Sequence, residues 1–70
     1  MAKKKLLEDI RLKPARYYRL PGDVMRDRRF GDSERLEILS AWLADPGVLG
    51  PQIESAIEEL QARMAPGHAA

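Results

Sequence analysis

The sequence predicts an all-α fold, a small bundle of three to four short helices completed by homodimerisation. Three observations predict it. Apolar residues recur at i, i+3, i+4 and i+7, and no stretch alternates as a half-buried strand would. The five prolines and five glycines fall at the edges of these periodic stretches, where helices start and stop. Seventy residues make one domain at most, residues 1–70, whose core is expected to supply only about 3 to 5 kcal/mol. With no cysteine available for a disulfide or a thiolate metal site, a second copy is the remaining staple.

The first helix is expected over residues 3–13. In "KKKLLEDIRLKP" Leu6, Leu7 and Ile10 share a narrow apolar stripe, and Pro14 should stop the helix just before it. Residues 14–20 then read as a surface connection, with Leu20 pushed toward an extended conformation by Pro21. A short helix follows over 21–28, because Pro21 is tolerated in a first turn and Asp23 suits the positive end of the helix dipole.

The main helix is expected over 32–45, capped by Gly31 or Asp32 and closed by Asp45-Pro46-Gly47. Leu36, Ile38, Leu39, Trp42 and Leu43 span an arc of about 160° at 100° per residue, which reaches more than one neighbour. Trp42 reads first as core and second as an interface anchor. The last helix is expected over 51–65, from Pro51 at its first position to the stop at Pro66-Gly67. Ile53, Ala56, Ile57, Leu60 and Met64 form its stripe, and Glu59 is placed to pair with Arg63 one turn on. Residues 66–70 read as a tail.

No apolar stretch approaches the roughly 20 residues of a membrane span, and "MAKKKLLEDI" lacks an apolar segment of leader length. A cytoplasmic location is therefore expected, in keeping with the absent cysteines. The net charge of +1 conceals an asymmetry. Residues 1–35 hold eleven Lys/Arg against six Asp/Glu, net +5, while residues 36–70 hold Arg63 against five acids, net −4. The halves should attract, or offer a basic face to an anionic partner.

The basic half is densest in "PARYYRLPGDVMRDRR", residues 14–29, with five arginines and two tyrosines. Arg16, Arg19, Arg26, Arg28 and Arg29 could contact phosphates while Tyr17 or Tyr18 stacks on an unpaired base. The plainer reading packs one tyrosine under the helices and pairs the arginines with the acidic half. Residues 32–65 also lay out as helix, turn, helix, but the outward positions of the second helix are Gln52, Glu54, Ser55, Glu58, Glu59 and Gln61. Phosphates would repel that face, so groove reading by it is rejected.

Pro21, Asp23, Val24, Asp27, Phe30, Glu34, Arg35, Leu36, Ile38, Leu39 and Trp42 form a pattern across residues 17–45, and by it the segment resembles a family of small uncharacterised proteobacterial proteins. Arg28 stands where such proteins often have Pro, and Gly31 where they often have a Ser cap. The resemblance implies a helical fold in a bacterial cytoplasm and brings no activity with it.

Catalytic ingredients are few. His68, the single histidine, falls in the tail, where nothing would hold it near Ser33, Ser40 or Ser55. Glu54 and Glu58 read as a solvated face rather than a desolvated acid pair. The ligand count is too low for a transition-metal site, "GDSERLE" lacks calcium-loop spacing, and neither "LPGD" nor "GVLGP" has a phosphate-cradling pattern. Membrane-surface binding through residues 1–13 is disfavoured because Glu8 and Asp9 interrupt the basic face.

The reading is thus a non-enzymatic helical interaction module or regulator, with no cofactor and no metal, and with a protein partner. Leu36, Leu39, Trp42, Leu43, Ile57, Leu60 and Met64 are assigned to the core or to self-association. Arg16, Tyr17, Arg19, Arg26 and Arg29 are assigned to the partner-facing surface. The alternative is a nucleic-acid-binding accessory protein using residues 14–29.

Overall fold

The structure, a computed structural model, describes residues 2–64. It contains helices α1 (Ala2–Leu12), α2 (Pro14–Tyr17), α3 (Pro21–Arg26), α4 (Asp32–Leu43) and α5 (Gly50–Met64), with a 3₁₀ turn at Gly47–Leu49. There is no strand among the described residues, so the all-α expectation holds. The central helix is α4, which packs against α1, α2, α3 and α5, while α3 also reaches α5. The shortest dimension is 18 Å, two helices thick at about 10 Å each.

The helix ends follow from local chemistry. Lys13, held out of the helical region at φ −144° and ψ 74° before Pro14, terminates α1. The expected surface connection over 14–20 needs correction, because Pro14 also starts a helix. Its missing N–H costs nothing at a first position, and α2 closes with Tyr18 N–H donating to the Pro14 carbonyl at 3.0 Å. In α3 the Asp23 carboxylate accepts the Leu20 N–H at 3.3 Å, and in α4 the Glu34 carboxylate accepts the Gly31 N–H at 2.9 Å. Each is the backward half of a capping box.

Three helices end earlier than expected, α1 at Leu12 rather than residue 13. α3 stops at Arg26 rather than residue 28, since Asp27 turns extended (φ −77°, ψ 107°) and uses its carboxylate to bind other parts of the chain. α4 stops at Leu43 rather than residue 45, where Pro46 disfavours helix at Asp45. Gly47 then adopts φ +61°, a left-handed turn that a side chain would strain.

Both apolar stripes close within one chain. Ile10, Tyr18, Val24, Phe30, Ile38, Leu39, Trp42, Ile53, Ala56 and Leu60 are buried in one cluster, with Leu6, Leu7, Leu36, Leu43 and Ile57 half-buried around it. Most of the two stripes is thus buried within one subunit. Met64 departs from its stripe and is 41% exposed. α5 runs back along α4, and Arg63 already pairs with Asp32, the first residue of α4, so Met64 lies past the surface it would pack on.

That same pair corrects the expected Glu59–Arg63 contact. Asp32 Oδ1 accepts from Arg63 Nη2 and Arg35 Nη1, each at 2.8 Å, joining the start of α4 to the end of α5. The opposite halves of the chain also meet at Arg11–Glu37, 2.9 Å apart and solvent-exposed. Exposed pairs of this kind contribute up to about 1 kcal/mol. The tail residues 66–70 and His68 lie outside the described residues, as does Ala65.

Candidate interaction surface

The two adjacent tyrosines of α2 and its cap part company. Tyr18 is buried and Tyr17 is 46% exposed. Burial of Tyr18 is possible because its hydroxyl finds a partner, donating to Asp27 Oδ2 at 2.7 Å. Asp27 is in turn gripped by Arg29, whose Nε donates to Oδ1 at 3.0 Å and Nη2 to Oδ2 at 2.8 Å, and whose backbone N–H donates to Oδ1 at 3.0 Å. The Arg29 guanidinium, followed by the Tyr18 hydroxyl, holds the Asp27 carboxyl far below the usual range against the opposing effect of burial. Burial, reinforced by the Asp27 carboxylate, pushes the Tyr18 phenol up to about 12.

The loop before α4 is tied down from the other side as well. Arg35 Nη2 donates to the Asp27 carbonyl at 2.9 Å, while the Arg35 Nε is buried without a hydrogen-bond partner. The Arg29 guanidinium also lies 5.5 Å from the centroid of the Phe30 ring. This polar network fixes the back of α2, and so fixes what its front displays.

The front carries Leu12 at 79% exposure and Tyr17, and Leu20, exposed at 49%, follows three residues on. Between them stand Lys13, Arg16 and Arg19, all exposed and all without an ion pair among the described residues. Two grooves meet here. One, of about 180 Å³, lies between the α1–α2 corner and the end of α4, and is lined by Leu12, Pro14, Arg16, Ala41, Trp42 and Asp45, with Lys13 and Ala15 beside them. The other, of about 400 Å³, is lined by Asp9, Leu12, Lys13, Arg16 and Tyr17. Leu12, Lys13 and Arg16 form the ridge they share. What the surface offers is apolar contact area edged by cations.

Of the residues assigned to the partner-facing surface, Arg16 and Tyr17 line these grooves and Arg19 stands exposed three residues beyond Arg16. Arg26 and Arg29 line neither groove. Arg26 pairs with Asp23 at 3.4 Å, and Arg29 is committed to Asp27. Leu12, Lys13, Ala41 and Asp45 escaped the sequence reading. A signal for Leu12 was present: at 100° per residue it lies about 165° from the centre of the Leu6, Leu7 and Ile10 stripe, an apolar side chain on the wet face.

Among the described residues no three His, Cys, Asp or Glu side chains are grouped to hold a metal ion. No helix there is long and apolar enough to cross a membrane. Comparison of the chain with protein-family models, with curated proteins and with solved structures gave no match.

Proposed function

We propose that this protein is a non-enzymatic helical interaction module or regulator, which docks a partner protein on the face formed by the end of α1 and by α2. The observation that carries this reading is the exposure of Leu12 and Tyr17 on one groove beside two cations, Lys13 and Arg16, that have no ion pair among the described residues. A lone exposed leucine would mean little. Apolar side chains with Tyr and Arg converging on a concave surface match the composition of protein interfaces. The cysteine-free sequence and the resemblance to small proteobacterial proteins support a bacterial cytoplasm as the setting.

The nucleic-acid alternative draws on Arg16, Arg19 and Arg28, which are exposed, and on the Tyr17 ring. It is disfavoured because Tyr18, Phe30 and Trp42 are buried, leaving one ring where single-strand binders line up several. Affinity purification from the native host at low and high salt separates the readings, with Leu12→Glu/Tyr17→Glu as control. A protein retained by the wild type at high salt and lost from the variant supports docking. Nucleic acid released by salt, or a protein held equally by the variant, overturns it.

A further inference from the structure

The groove over Trp42 is narrow, apolar at its floor and asymmetric in charge at its rim. Trp42 is 3% exposed and lines the groove from its floor, and the small side chains of Ala15 and Ala41 line it too. The volume of about 180 Å³ suits one aromatic or branched aliphatic side chain, since an engineered cavity of about 150 Å³ holds benzene. Lys13 and Arg16 stand on one side of the rim and Asp45 on the other, and none of the three has an ion pair among the described residues. Asp45 also follows the C-terminal end of α4, where the helix dipole is negative. An anion is therefore favoured at the Lys13/Arg16 side and disfavoured at the Asp45 side.

We infer that this groove binds a short segment of a partner protein that carries an apolar anchor next to an acidic residue, in one orientation. The anchor sits over Ala41 and Trp42 between Leu12 and Pro14, and the carboxylate pairs with Lys13 and Arg16. The inference rests on the docking reading above and adds the partner's chemistry. A nucleic acid fits less well, because a stacking base needs an open ring face and the indole here is covered.

The test uses the full chain as bait for a displayed random-peptide library. Enriched peptides should combine Asp or Glu with an aromatic or branched apolar residue. A synthetic peptide from that set should shift the emission of Trp42, the chain's single tryptophan. Arg16→Glu, and separately Lys13→Glu, should weaken its binding tenfold or more, and Ala41→Leu, which fills the groove, should abolish it. Each variant's circular dichroism and melting are checked first, and the two charge reversals lie at exposed positions whose side chains make no hydrogen bond or ion pair among the described residues.

Peptides that show no acidic bias and bind Arg16→Glu and Lys13→Glu unchanged, yet are lost on Leu12→Glu, overturn the inference while the docking reading stands. No enrichment, or binding indifferent to Leu12→Glu as well, overturns both. An oligouridine strand that competes with the peptide for the Trp42 signal, or a shift of that signal with protein concentration alone, would hand the groove to nucleic acid or to a second copy.

Discussion

The Tyr18 phenol donates a 2.7 Å hydrogen bond to the carboxylate of Asp27, nine residues away, and so anchors the end of α2 to the loop that precedes α4. The bond is half-buried, and the Arg29 guanidinium donates to the same carboxylate oxygen at 2.8 Å. Tyr18→Phe keeps the ring and removes the bond. It is expected to cost about 1–2 kcal/mol in urea unfolding, whereas Tyr17→Phe should stay within about 0.5 kcal/mol of wild type.

The same pair sets the response to pH. The folded Asp27 carboxyl lies below its ordinary value of 3.8, so its contribution is complete above that value and is lost as pH falls through the folded one. Asp27→Asn should flatten the acid limb of a stability profile. Arg29→Ala should shorten and flatten that limb as well, because it removes the group that does most to hold the carboxyl ionised and so brings the folded titration up toward the unfolded one.

At the alkaline end the sign reverses. The folded Tyr18 phenol is pushed up from 10.0 to about 12, so the stability it confers is complete below 10 and disappears as pH rises toward 12. In a Tyr17→Phe background, phenolate absorbance should titrate near 12 in buffer and near 10 in denaturant. Equal midpoints in the two solvents would mean that the phenol is not buried.

The stripe of α5 contains members of different rank. Leu60 is fully buried, and Leu60→Ala should cost about 2–5 kcal/mol, comparable to the whole stability of so small a core. Met64→Ala should cost no more than about 0.5 kcal/mol, since its side chain is exposed beyond the start of α4. Melting temperatures of the two variants provide the comparison.

Two glycines should answer oppositely to a side chain. Gly47 sits at φ +61°, so Gly47→Ala is expected to lose about 1 kcal/mol although nothing lies within 4 Å of the added carbon. Gly31 is extended at φ −82°, with open space around it, and precedes α4 as its cap. Gly31→Ser should gain a few tenths of a kcal/mol by supplying the missing side-chain acceptor.

Helix periodicity made most of the fold legible, because Ile38, Leu39, Trp42, Ile53, Ala56 and Leu60 repeat at a spacing that only one face of a helix satisfies. The span from Pro14 to Tyr17 was misread because a proline can both stop one helix and start the next, and a single helical turn is too short to show a period. Which tyrosine is buried was not legible either. That depended on Asp27 standing opposite Tyr18, a contact that local patterning does not encode. The arginines were visible as a cluster, but charge counting could not separate Arg29, consumed by Asp27, from Arg16, left with no ion pair among the described residues.

Docking on this face requires Leu12, Tyr17 and Leu20 to be dispensable to the fold. Chemical denaturation of Leu12→Ser/Tyr17→Ser/Leu20→Ser tests this most directly. The expected result is an unfolding free energy within about 1 kcal/mol of wild type, with the slope against denaturant unchanged. A loss of several kcal/mol would show that these side chains hold the fold together, and the docking face would not exist.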